Sequence, residues 1–154
     1  MFKKILFPTD GSDAALRAAE LVARLAEPVV DAFVTVVIAI APFEAAESDL
    51  DEEVVRQQNA QITAKARRAL EMTSAVFARN RIPYESKIIG GKPVSAAIAQ
   101  EAERGGYDVI AMGSRGMSMQ RDDLHYLGSV TERVIRRVSL PVVVLPVHKA
   151  VDKE

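Results

Sequence analysis

Three short stretches hold residues whose types and spacing suit the binding of a phosphorylated ligand. In Pro8-Thr9-Asp10-Gly11-Ser12, the Asp10 carboxylate follows an apolar run. It can accept hydrogen bonds from a ribose hydroxyl or an adenine amino group, or it can serve only as a turn-forming or helix-capping group. Gly113-Ser114-Arg115-Gly116 sets two glycines three apart. Without a Cβ, backbone N–H groups can approach phosphate oxygens closely. Gly128-Ser129 then opens a helical pattern, and first-turn N–H groups have no acceptor within their own helix. Ser129 with Glu132 three residues on also matches a capping box, which needs no ligand. A capped terminus keeps spare donors, so the two readings coexist.

Other chemistry finds little support. There is no Cys, so disulfides, thiolate metal sites and cysteine nucleophiles are excluded. His125 and His148 lie far apart, which disfavours a histidine zinc site. Neither Gly-x4-Gly-Lys-Ser/Thr nor a full dinucleotide fingerprint is present, because Gly113-x2-Gly116 lacks the preceding Gly-x. The first loop also lacks the Ser-Gly-Gly-x-Asp-Ser phosphate loop of ATP-cleaving pyrophosphatases of related architecture, which counts against adenylating chemistry. No nucleophile, oriented base and transition-state clamp can be assembled from the remainder. Twenty Lys and Arg against 21 acids give a formal charge of −1, unlike the basic excess of a domain that binds nucleic acid through bulk charge.

The elements that must position these loops alternate between two periodicities. Lys4–Pro8 and Phe33–Ile40 are apolar runs, the second apolar nearly throughout as in a strand covered on both faces. Tyr84–Ile89, Asp108–Met112 and Pro141–Pro146 read as three more strands. Between them fall helical patterns: Asp13–Ala26 with Ser12 as N-cap, a long helix ending near Asn80, one from Pro93 to Gly105-Gly106, and one over Ser129–Val138. The long helix carries an apolar stripe of Val55, Ile62, Ala66, Ala69, Leu70, Thr73, Val76 and Phe77. Its acidic approach, Glu44 to Glu53, complements the helix dipole, and Ser48 with Asp51 resembles a capping box. Arg133, Arg136 and Arg137 near the end of the last helix suit its dipole in the same way.

The order β-α-β-α-β-α-β-α-β in 154 residues predicts one α/β domain over residues 1–147, with a charged tail at 148–154. Right-handed crossovers make it an open five-stranded parallel sheet with helices on both faces, Rossmann-like in layout. No targeting segment or membrane span is expected: Met1–Pro8 is too short for a signal core, and the apolar run Val29–Pro42 is interrupted by Asp31 and Thr35.

With these motifs in place the chain resembles the universal stress protein family. The resemblance rests on Ile5-Leu6-Phe7-Pro8-Thr9-Asp10-Gly11-Ser12, Asp108-Val109-Ile110-Ala111-Met112-Gly113-Ser114-Arg115-Gly116, Gly128-Ser129-Val130-Thr131-Glu132-Arg133-Val134 and the closing Pro141-Val142-Val143-Val144-Leu145-Pro146. It implies an adenine nucleotide alpha hydrolase-like sheet of order 3-2-1-4-5, with a cleft between strands one and four. It also implies ATP as ligand, with or without Mg²⁺. Asp10 would meet the adenosine, with Pro8 and Thr9 shaping that wall and Ala39 lining the adenine pocket. Gly113 and Gly116 would cradle the phosphates, with Met112 and Arg115 also among the cofactor-binding residues. Gly128 and Ser129 would close on phosphates or ribose, with Val130 and Thr131 beside them.

The family motif has nine residues between its second and third glycines, whereas Gly116 and Gly128 here enclose 11, including Arg121, Asp122, Asp123 and His125. An outward bulge would leave the flanking glycines in place. By the same resemblance the protein is expected to be a cytoplasmic, nucleotide-binding regulatory module of the stress response, with neither nucleic acid nor membrane as partner. It is expected to be a homodimer paired through the last strand, Pro141–Pro146. Two alternatives are a nucleotide-free member acting through protein contacts and a slow Mg²⁺-dependent ATPase.

Overall fold

The computed structural model describes residues 1–47, 49–115 and 127–147. Gly116, residues 117–126, the tail 148–154 and Ser48 lie outside the described residues, as do the expectations placed on them. The elements are β1 (Lys4–Pro8), α1 (Asp13–Ala26), β2 (Phe33–Ile40), α2 (Glu52–Arg79), β3 (Tyr84–Gly90), α3 (Val94–Arg104), β4 (Val109–Gly113), α4 (Ser129–Ile135) and β5 (Val142–Leu145), with one 3₁₀ turn at Ala45–Glu47. All strand pairs are parallel, in the order β3-β2-β1-β4-β5. This is the predicted sheet. Among the described residues no helix is long and apolar enough to cross a membrane.

Each face of the sheet is sealed by a different helix pair. Alternate residues Ile5, Phe7, Val34, Val36, Ile38, Val109 and Ala111 meet α1 and α2, while Leu6, Val37, Ile110 and Met112 meet α3 and α4. The period of two in the strands sorts these sets, and helical spacing on α1 presents Ala15, Ala18, Ala19, Val22, Ala23 and Ala26 to the first layer. The alanines let α1 lie close to the sheet. Phe7 and Phe77, both fully buried, then meet edge to face at 5.8 Å between ring centroids, joining β1 to α2. Glu20 of α1 and Arg79 of α2 pair at the surface above them.

Several boundaries differ from the sequence reading: β3 and β4 each run one residue further, to Gly90 and Gly113, and β5 is shorter at both ends, Val142–Leu145. Pro93 is the extended N-cap of α3 rather than its first residue, so the helix starts at Val94. Asp108 stays out of β4 because its carboxylate turns back to accept the Lys3 and Lys4 N–H groups, at 2.9 and 2.8 Å. α4 stops at Ile135, three residues early. Ser12 caps α1 as predicted, its hydroxyl accepting the Ala15 N–H at 3.1 Å.

Truncating Phe77 to Ala removes the ring that joins the central strand to α2. Urea denaturation of that variant is expected to show a loss of about 3–5 kcal/mol, against less than half of that for Phe77→Leu.

Candidate functional site

The crevice begins where two central strands stop pairing. β1 runs beside β2 as far as Pro8 opposite Val37, and the Thr9 N–H extends the ladder by donating to the Val37 carbonyl at 2.8 Å. Its pairing with β4 ends at Leu6 opposite Ile110, while β4 continues along β5 to Gly113 opposite Leu145. Beyond Leu6 the strands therefore part. The chain leaves β1 toward β2 on one side and reaches β4 from the other, the reversal at which open parallel sheets bind ligands.

The gap forms a cavity of about 690 Å³, in the range of small-molecule sites. Eleven predicted site residues line it: Pro8, Thr9, Asp10, Ala39, Met112, Gly113, Arg115, Gly128, Ser129, Val130 and Thr131. Ile38 and Ile40 of β2, with Val94 and Ile98 of α3, add apolar wall. From α2 come Ile62, Lys65, Ala66, Arg68, Ala69 and Met72.

The first loop is held by hydroxyls and by a close approach to α2. The Thr73 hydroxyl donates to the Ala69 carbonyl at 2.8 Å, which leaves the Thr9 hydroxyl to donate to Thr73 Oγ1 at 3.1 Å. Thr9 Oγ1 in turn accepts the Gly11 N–H at 3.1 Å. Gly11 has φ +73°, and a Cβ there would stand 2.5 Å from the Ala69 Cβ. The position therefore demands glycine on both conformational and steric grounds. One Asp10 oxygen accepts the Ser12 N–H at 3.0 Å, so the carboxylate both forms the turn and borders the cavity.

The second and third loops are bonded to each other. The Thr131 hydroxyl donates to the Gly113 carbonyl at 3.0 Å, and the Gly128 N–H donates to the Ser114 carbonyl at 2.8 Å. These bonds explain a difference from the sequence reading. Gly128, not Ser129, is the N-cap of α4, no side chain caps that helix, and Glu132 pairs instead with Arg136. The capping box does not form, and the Ser129 hydroxyl borders the cavity without that duty. At Gly113 a Cβ would stand 3.4 Å from the Arg115 carbonyl oxygen, 3.5 Å from Ala18 Cβ and 3.6 Å from Val147 Cγ1, all ordinary contacts. Packing does not demand glycine there.

Asp10 is the sole acid among the described lining residues, whereas Lys65, Arg68 and Arg115 are all cationic. The described residues hold no cluster of three His, Cys, Asp or Glu able to bind a metal. The arrangement offers an apolar slot for a flat ring, a carboxylate for hydroxyls, and cations with main-chain amides for an anion. Among the described residues it sets no nucleophile beside an oriented base. The sequence reading passed over Lys65 and Arg68. Their signal was the flanking of Ala66 and Ala69, small residues that mark where α2 comes close to another segment.

Comparison with known proteins bears on the family and the fold. The profile of the universal stress protein family matches residues 1–146. The chain belongs to that family. Universal stress protein Sll1654 of Synechocystis is 33% identical over 146 residues, spanning 95% of this chain and 87% of the relative. The solved structure of protein MJ0577, from Methanocaldococcus jannaschii, superposes with a TM-score of 0.80 at 31% identity, covering 97% of this chain and 99% of that one.

Three other solved structures share the fold and carry nucleotides. One is a universal stress protein in complex with cAMP (TM-score 0.64, 24% identity, 96% and 98% coverage). A universal stress protein family member from Arabidopsis thaliana has AMP bound (0.67, 21%, 99% and 95%). The universal stress protein of Archaeoglobus fulgidus is in complex with dAMP (0.67, 20%, 93% and 97%).

The two glycines of this site should respond differently to a methyl group. Gly11→Ala is expected to lower stability by about 2–4 kcal/mol, from the left-handed backbone and the clash with Ala69. Gly113→Ala should stay within about 1 kcal/mol of the parent. Urea midpoints measured side by side check the pair.

Proposed function

We propose that this universal stress protein is a regulatory module that binds an adenine nucleotide, ATP foremost, in the crevice between β1 and β4. The observation that carries the reading is the lining of one cavity by an apolar slot, one carboxylate and several cations. A purine would lie against Ala39 and the neighbouring isoleucines, where apolar burial contributes most. Asp10 would accept from ribose hydroxyls. The phosphates would face Gly113, Arg115, Gly116, Gly128 and Ser129, with Val130 and Thr131 behind them. The cAMP, AMP and dAMP complexes of proteins with this fold support the adenine part of the reading.

Mg²⁺ would be held chiefly by the phosphates, because Asp10 is the one described lining carboxylate and magnesium accepts few protein ligands beside phosphate oxygens. No catalytic step is assigned. The output would be thermodynamic, since a ligand stabilises whichever conformation or assembly binds it better. A cytoplasmic role in the stress response belongs to the same proposal and follows the family resemblance.

We further propose a homodimer through β5. The sheet has two edges of opposite character. β3 presents Glu85, Ser86 and Lys87, and charges protect an edge from pairing. The β5 edge presents Val142, Val143 and Val144, each partly exposed and without a charge. A second copy pairing there would cover the strand.

Equilibrium dialysis with labelled ATP should show saturable binding below 1 mM. Asp10→Asn, which keeps the turn to Ser12, should weaken it about tenfold. Ala39→Phe, which fills the slot, should abolish it. No binding by the parent up to about 1 mM, where affinity is worth only about 4 kcal/mol, would overturn the assignment. For the dimer, sedimentation velocity should give twice the chain mass for the parent and the single-chain mass for Val144→Arg. A parent that sediments as a monomer at tens of micromolar would refute it.

A further inference from the structure

Lys65 and Arg68 lie outside every motif that points to the site, yet both line the cavity. Their placement follows from the crossover. A helix joining parallel strands runs antiparallel to them, so the first half of α2 stands beyond the carboxyl ends of the sheet. The Thr9–Thr73 bond and the Gly11–Ala69 contact fix its height against the first loop. Lys65 is one turn earlier than Ala69 on the same face, about 6 Å farther out at 1.5 Å per residue. Arg68 lies one turn from Lys65 and one from Met72, another lining residue. Long side chains on a helix lean toward its N-terminus, here away from the sheet and over the crevice.

Both cations are exposed, and neither has a hydrogen bond or ion pair with any described residue. Elsewhere on α2, Arg56 pairs with Glu53 and Arg79 with Glu20, while Arg67 is exposed and stands outside the cavity lining. Arg115, Gly113 and Gly128 of the β4 and α4 loops also line the cavity, the Gly128 N–H being held by the Ser114 carbonyl. Asp10, the lining carboxylate, is bonded to the Ser12 N–H. A polyanion in the crevice would therefore meet cationic groups from α2 and from the β4 loop.

We infer that Lys65 and Arg68 form a second phosphate-facing wall, which makes the site select nucleotides by phosphate number. The inference rests on the nucleotide-binding reading. The apolar slot and Asp10 recognise adenosine alike in every member of the series. The α2 cations act only on the phosphate chain, and their effect grows as charge is added. Lys65 supplies a point charge, while the guanidinium of Arg68 can grip two oxygens at once.

Isothermal titration of the full chain with adenosine, AMP, ADP and ATP tests this. The parent should bind more tightly along that series. Lys65→Gln and Arg68→Gln should each weaken ATP about five- to tenfold, with adenosine unchanged and AMP affected least. The double variant should bind ATP little better than AMP. Its ATP affinity should also depend less on salt than the parent's. If the parent shows the series and the double variant keeps it, the inference is wrong and the nucleotide reading stands. If the parent binds no member of the series, both fall together.

Discussion

The structure depends on the parting of β1 from β4 after Leu6. Had Phe7 and Pro8 gone on pairing with Ala111 and Met112, the two strands would have run together to their ends. Instead β1 stays with β2, β4 goes to β5, and the main chain at the end of each is held by other partners. The Thr9 N–H takes the Val37 carbonyl, and the Ser114 N–H takes the Leu145 carbonyl at 2.8 Å. Both strand ends are thus satisfied while a gap remains between them, which a buried backbone requires if an opening is to persist. The contact of Gly11 with Ala69 then fixes how far α2 stands off the gap.

The two ends of the sheet are treated in opposite ways. At the amino ends, polar groups consume one another. Asp108 accepts two main-chain N–H groups, which with that hydrogen bonding hold its carboxyl below the usual range. Lys4 donates to the Gly105 carbonyl and stacks over the Tyr107 ring at 4.9 Å. Nearby, Glu101 accepts from Lys87 and Tyr107; burial opposes its ionisation, but these two donors outweigh burial and its pKa is lowered. At the carboxyl ends, Lys65 and Arg68 lack such partners among the described residues.

Much of this was legible in the amino-acid order because the signals were local. The short apolar runs at Phe33–Ile40 and Asp108–Met112, bounded by turn residues, suit strands covered on both faces, and Ser12 before a helical period suits an N-cap. The strand order came from the family resemblance, not from periodicity. The start of α4 was not legible, because a Ser-x-x-Glu pattern fits either register. Tertiary bonds decided it, Gly128 to Ser114 and Thr131 to Gly113, between segments 14 and 18 residues apart. Lys65 and Arg68 were missed for a related reason. A charged residue on a long helix usually faces water, and only the stand-off of α2 from the first loop shows that this pair faces a cavity.

The walls of that cavity come from both helical layers and from three strands, so anything bound there bridges elements that otherwise meet only through the sheet. Such a ligand adds RT ln(1 + [L]/Kd) to stability, about 2.7 kcal/mol at a hundredfold excess over Kd. It does so most strongly for the loops that part company when the strands do. One of those loops is bonded to the sheet's apolar edge, through Ser114 N–H on the Leu145 carbonyl. Arg17 of α1 reaches the same edge by donating to the Val147 carbonyl, at 3.2 and 3.3 Å. Ordering of the β4 loop and ordering of the β5 edge are therefore not independent. If a nucleotide binds there as proposed, that connection would pass its effect to the β5 edge.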